Sequence, residues 1–180
     1  MKDVALFEKV SFEQFYKQFV DDYYSNNSKI FFKEDLNKDN LKLLYNEIIL
    51  PKRKTKYSAG YDFHMPFTIT IPKYNSVVIP TGIRCKIRED YVLQIYPRSS
   101  LGFKHGIRLS NGVAIIDSDY YNADNEGHIM IKLSNDSANC KDITLEKGSG
   151  FCQGLFIEYG TTINDDADGI RTGGIGSTDK

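Results

Sequence analysis

The sequence predicts an all-β protein, a jelly-roll β-sandwich, with a short helical extension in front of it. Three observations lead there. After Pro51, turn residues recur at intervals of roughly eight to twelve positions, with short runs rich in Ile, Val, Thr and Tyr between them. Before Pro51, apolar residues fall at helical spacing instead. From Asp165 onward the chain is polar and glycine-rich, the composition of a flexible tail. The expected organisation is therefore a helical extension over residues 1–47, a β domain over 48–164 and a C-terminal lid over 165–180.

In the extension, Ser11 stands before Phe12, Phe15, Tyr16, Phe19, Val20 and Tyr23, and Ser11 with Gln14 forms a capping box. Asn26-Asn27-Ser28 closes that helix. A second helix falls within Asp39 to Ile48, opened by Asp35 or Asn37, with Leu41, Leu44, Tyr45 and Ile48 on one face. Beyond Pro51, strands are expected at Thr68–Ile71, Ser76–Ile79, Ile83–Ile87, Val92–Tyr96, Ile129–Leu133, Ile143–Leu145 and Phe151–Tyr159. Such punctuation argues for a sandwich or jelly roll.

Composition narrows the function. Of 180 residues, 41% are hydrophobic and 26% charged, a globular composition. A net charge of −1 excludes a broadly basic surface, so no nucleic-acid partner is expected. A small anionic ligand needs only a few local donors and stays open. No apolar run is long enough for a bilayer, and Met1 to Glu8 lacks the core of a signal peptide. No membrane association and a cytoplasmic location are therefore expected. Three widely spaced cysteines, Cys85, Cys140 and Cys152, read as reduced thiols.

Four segments carry chemistry. In Tyr96-Pro97-Arg98-Ser99-Ser100-Leu101-Gly102, a strand runs into a turn bearing a guanidinium and two hydroxyls, which is either a phosphate site or an ordinary turn. In Asn111 to Tyr120, Ile115-Ile116 leads into Asp117 and Asp119. Asp117 there is either a general base toward water or the cap of an Asx turn. Gln153, inside the apolar run Phe151–Phe156, must satisfy its amide by substrate or by the core. Arg171-Thr172-Gly173-Gly174-Ile175-Gly176-Ser177-Thr178 has the glycines, hydroxyls and arginine to wrap phosphates.

Together with Ser58-Ala59-Gly60-Tyr61-Asp62, these segments resemble, in order and spacing, the five sequence boxes of the trimeric dUTPase family, over about residues 48 to 180. The likeness extends to the Gram-positive bacterial and phage type. It implies a jelly roll that hydrolyses dUTP to dUMP and pyrophosphate, which limits uracil in DNA and supplies dUMP for dTMP synthesis. It also implies Mg²⁺, held mainly by the phosphates, with Asp62 reaching it through water. Arg98, Ser99, Ser100 and Gln153 are then phosphate contacts, and Asn111 with the following strand reads the uracil. Ile115, Ile116 and Met130 are further substrate-binding positions. Tyr120 lies against the deoxyribose where a 2′-hydroxyl would collide, and Asp117 deprotonates the attacking water. Arg171, Ile175, Gly176 and Ser177 belong to a tail that closes over a neighbour's nucleotide. The resemblance further implies a homotrimer whose active sites are shared between chains.

The chain departs from the family pattern in three places. Ile175 stands where the fifth box carries an aromatic that stacks on uracil, a contact worth about 0.5–1.5 kcal/mol. The segment Tyr121 to Gly127 is longer than usual and reads as a polar surface loop. Residues 1–47 have no counterpart, and the aromatic stripe of the first helix is expected to pack on the β domain. The basic run Lys52-Arg53-Lys54-Thr55-Lys56 reads as a solvated face. One alternative is a dCTP deaminase of the same fold, but Lys132 stands where its catalytic Glu belongs. The other is a regulatory phage protein that binds a repressor through its inserts.

Overall fold

The computed structural model describes residues 2–25, 37–136 and 141–174, with no account of side chains over 22–25. Eleven strands and three α-helices are assigned among them. The extension is not wholly helical, because Ala5–Lys9 forms strand β1. It lies antiparallel on β5 (Ile83–Ile87), with Phe7 opposite Cys85. It is only five residues long and leaves Leu6 exposed, so apolar and polar positions do not alternate and periodicity alone carried too little signal to find it.

Helix α1 (Phe12–Ser25) begins where the capping serine predicts, and Ser11 Oγ accepts from the Gln14 amide at 3.1 Å. The box is only half built. Gln14 turns its own side chain to Gln18, and the Ser11 amide donates to Glu126 at 2.7 Å. Helix α2 (Lys38–Asn46) is capped by Asn37, whose side chain accepts from the Asn40 amide. Phe15, Phe19, Leu41, Leu44 and Ile48 are all buried against the β domain. The aromatic stripe is thus core, as expected. The closing residues Asn26 to Ser28, the alternative cap Asp35 and Cys140 lie outside the described residues.

A four-stranded antiparallel sheet has the order β2-β11-β6-β8: Tyr61–His64, Gly150–Glu158, Tyr91–Pro97 and Ala114–Ile116. A three-stranded sheet has the order β4-β9-β7: Ser76–Pro80, Met130–Asn135 and Ile107–Leu109. The pair β3 (Ile69–Ile71) and β10 (Ile143–Leu145) completes the set. Alternation fixes which face is inside. Ile83, Cys85 and Ile87 point in and Arg84 and Lys86 out; Ile131, Leu133 and Asn135 point in while Met130, Lys132 and Ser134 do not. One continuous apolar cluster takes residues from all of these sheets and from both extension helices. Antiparallel sheets around a shared core make this an all-β fold of the jelly-roll kind that the sequence predicts. Cys85 and Cys152 are buried free thiols, and burial pushes Cys85 up to about 12.

Candidate active site

Two pockets collect most of the residues that the sequence singles out, while Asp117 and Arg171 line neither. The first lies on the four-stranded sheet. Strand register sets Gln153 opposite both Asp62 and Tyr96, so their side chains share one face. Arg98 follows Tyr96 by two residues and returns to that face. The segment after Arg98 is not a plain turn: Ser99–His105 is a short helix, α3, that exposes Ser99 and Ser100 at its start. Arg98, Ser99, Ser100, Asp62 and Gln153 line a cavity of about 290 Å³. Arg98 Nε sits 3.7 Å from Asp62 Oδ1, and its Nη1 donates to the Gly150 carbonyl at 3.3 Å. A side chain at Gly150 would occupy the space of the guanidinium. A Cβ at Gly60 would stand 2.6 Å from Gln153 Oε1. Both glycines are there for room. Gln153 therefore serves this pocket and not the core.

Ser58 and Gly60 of the first box also line it, and so does Lys54, which sequence reasoning did not assign to the site. Arg53 donates to the carbonyls of Lys56 and Ser58, which folds the basic run back toward the first box. Lys54 is exposed, as a solvated face requires, and also borders the pocket, where it can steer an anion.

The second pocket forms where the chain crosses from β7 in one sheet to β8 in the other. Asn111, Ile115, Ile116, Tyr120 and Met130 line about 390 Å³ with Ala114 and Lys132. Lys132 was legible by period: it follows Met130 by two residues on β9. Ile115 is 52% exposed here, a large apolar surface for one chain to leave open. Tyr120 is only 3% exposed. Its hydroxyl donates to the His128 carbonyl at 2.8 Å and accepts from Asn125 Nδ2 at 2.8 Å. Burial pushes the phenol up, partly offset by the Asn125 hydrogen bond and the Arg171 charge, so it stays protonated at neutral pH.

Asp117 precedes the short 3₁₀ turn Ser118–Asn122 but makes no capping bond with its side chain, so the Asx-turn alternative falls. The carboxylate is instead 55% exposed and accepts from Arg171 Nη1 at 3.1 Å. Arg171 also reaches Asp119 at 3.4 Å and stands 4.9 Å from the Tyr120 ring centre. The described part of the tail, through Gly174, thus lies on its own chain's third box, whereas the resemblance put it over a neighbour's nucleotide. Ile175, Gly176 and Ser177 lie outside the described residues. The segment 121–127 is more than a surface loop, since Ala123 is buried and Asp124 N donates to Thr172 O at 3.0 Å.

The two pockets share no lining residue. Ile116 pairs with Leu93 on β6, so Asp117 is level with Val92. Arg98 is six residues further along, which at ~3.3 Å per residue is roughly 20 Å. In one chain, Asp117 and Arg98 are too far apart to act on the same phosphate group.

The dUTPase family profile matches residues 46–178. The deoxyuridine 5'-triphosphate nucleotidohydrolase of Lactococcus lactis is 39% identical over 134 residues, 73% of this chain and 88% of the relative. That of Finegoldia magna is 40% identical over 112 residues, 61% and 73% of the two chains. The crystal structure of the Streptococcus mutans dUTPase superposes with a TM-score of 0.59 at 37% identity, over 64% of this chain and 90% of that one. A dUTPase from phage φ11 of S. aureus shares the fold at 19% identity and a TM-score of 0.55, over 67% and 90%. With all five boxes present and the family profile spanning both pockets, the chain belongs to the dUTPase family and is an enzyme that hydrolyses dUTP.

Proposed function

We propose that the enzyme works as a homotrimer in which each site joins the base pocket of one copy to the phosphate pocket of another, and splits dUTP there into dUMP and pyrophosphate with Mg²⁺. The observation that carries this reading is the separation of roughly 20 Å between Asp117 and Arg98 along β6, together with two half-sites that share no residue. Exposure of Ile115 at the mouth of the base pocket agrees with a surface that a second copy covers.

In this reading, Asn111 and the β8 backbone hydrogen-bond the uracil edge, and the Tyr120 ring forms the wall beside C2′. Arg98, Ser99, Ser100 and Gln153 of another copy hold phosphate oxygens, with Lys54 adding charge. Asp117 accepts a proton from water as that water's oxygen bonds to the α-phosphorus. The bond from the α-phosphorus to the bridging oxygen breaks, and pyrophosphate leaves. Arg171 is on hand for the charge that develops, because it already touches Asp117.

The residues fit a magnesium ion bound chiefly by substrate. Among the described residues no group of three or more His, Cys, Asp or Glu could cage a metal. A single carboxylate, Asp62, fronts the phosphate pocket, which suits a water-mediated contact. When bound, Mg²⁺ supplies charge neutralisation on the leaving pyrophosphate.

The test is pyrophosphate release from dUTP, dCTP, dTTP and UTP, with and without Mg²⁺. dUTP should be turned over at least about a hundredfold better than the others, because a buried hydrogen-bonding edge discriminates strongly. Ammonia release from dCTP, or equal rates with dUTP and UTP, would overturn the reading.

A further inference from the structure

The mechanism leaves unused the longest departure of the β domain from its family, the segment 121–127. It is braced from both ends by the N-terminal extension. At one end Tyr121 Oη donates to Glu8 on β1 at 2.5 Å, with the Arg84 guanidinium 3.6 Å from the Tyr121 ring centre. At the other, both Glu126 carboxylate oxygens accept from Ser11, from its amide at 2.7 Å and its hydroxyl at 2.6 Å. Between these braces lies Asn125. Its Oδ1 accepts from the Gly127 amide at 3.1 Å, a donor that only an oxygen can meet. That bond sets the amide's orientation and turns Nδ2 toward Tyr120 Oη, 2.8 Å away. The Tyr120 proton is already given to the His128 carbonyl, so the phenol oxygen is free to accept. The Tyr120 hydroxyl is thus held by two hydrogen bonds, one donated and one accepted.

We propose that Asn125 is a positioning residue that sets the specificity of the reaction, holding the Tyr120 ring where it excludes a 2′-hydroxyl. This rests on the reading of Tyr120 as the wall beside C2′. Asn125 also lies against the tail: a Cβ on Gly174 would stand 3.2 Å from its Nδ2, close enough that a side chain there would press on this amide. The extension acts at a distance by fixing the loop through Glu8 and Ser11, which gives its first strand and helix a part in substrate choice.

The experiment compares kcat/KM for dUTP and UTP in the full-length wild type, Asn125→Ala, Asn125→Asp, Tyr120→Phe and the double variant Tyr120→Phe/Asn125→Ala. Asp keeps the acceptor for the Gly127 amide but sets an acceptor-only carboxylate against Tyr120 Oη in place of the donor, so it disturbs the hold on the ring while leaving the loop's own bond in place. Both Asn125 variants should lower the dUTP-to-UTP ratio by about fivefold, the value of one hydrogen bond, with kcat for dUTP changed less than about threefold. In the Tyr120→Phe background, Asn125→Ala should change the ratio by less than about twofold, because the hydroxyl it acts through is gone. An unchanged ratio in Asn125→Asp, or an equal effect with and without the Tyr120 hydroxyl, overturns the inference while the dUTPase reading stands. A thermal melt lowered in Asn125→Ala with an unchanged ratio reduces Asn125 to a loop brace and overturns it too. A wild type that does not prefer dUTP to UTP brings down both.

Discussion

Two inactive variants of this enzyme should rescue each other. Asp117→Asn removes the proposed base, and Arg98→Ala removes the guanidinium fork of the phosphate pocket. Each alone should cost at least about a hundredfold in kcat/KM, since a general base commonly contributes 10²–10⁴-fold and an electrostatic clamp a similar factor. The register of β6 and β8 separates the two residues by roughly 20 Å in a chain, so in the proposed shared site Asp117 and Arg98 come from different copies. Suppose equal amounts of the two variants assort at random into closed rings. A site is then whole when its Asp117 comes from an Arg98→Ala chain and its Arg98 from an Asp117→Asn chain. That happens at about one half times one half, or one site in four. The mixture should regain about a quarter of wild-type activity per chain. A second mixture, wild type with the doubly substituted Arg98→Ala/Asp117→Asn chain, should also show about a quarter. Sites built within one chain would give nothing in the first mixture and about one half in the second. The assay is pyrophosphate release after co-refolding or co-expression with two affinity tags, at matched total chain concentration. A first mixture no more active than the mean of its components would refute the geometric argument.

Truncation after Asp168 removes Arg171 and its contacts to Asp117 and Asp119, and should lower kcat/KM at least about tenfold while light scattering shows the oligomer intact. An unchanged kcat/KM would make those contacts incidental. His128 is fully buried, its Nε2 accepts from the Gly82 amide at 2.8 Å, and burial depresses its pKa from 6.5 to about 3. The unfolded chain binds this proton below pH 6.5 and the folded chain does not, so stability should fall as pH drops from 6.5 toward 3, by up to about 1.4 kcal/mol per pH unit from this group. Urea titrations of wild type and His128→Gln should differ in that slope, and parallel slopes would remove His128 as the source. Phe15→Ala deletes a ring that is wholly buried among Phe19, Tyr45 and His128 and should destabilise by about 3–5 kcal/mol. A loss under about 1 kcal/mol by chemical denaturation would mean that the extension is not part of the core.

Much of this protein was determined by sequence alone, wherever the information is local. Ser11 and Asn37 mark helix starts because an amide within the next turn needs an acceptor, and both side chains supply it. The alternation of Ile83, Cys85 and Ile87 against Arg84 and Lys86 marks a strand because pleated backbone puts successive side chains on opposite faces. The boxes that carry Asp62, Arg98, Asp117, Gln153 and Arg171 are readable for the same reason: each is a short run whose chemistry is written in adjacent residues.

Tertiary structure alone decided what depends on residues distant in the chain. Strand β1 is short and half polar, and it exists because β5 offers an open edge. Glu126 completes the cap of Ser11 across 115 positions of sequence, which no local pattern encodes. Asn125 looks like any turn former until Tyr120 Oη is found beside its Nδ2. Most of all, the order of the boxes says nothing of distance. Arg98 and Asp117 are separated by only 19 positions and by a hairpin's worth of chain, yet antiparallel pairing of β6 with β8 sends them to opposite ends of the same sheet. A strand pairing, not a residue, is what sends these two boxes apart.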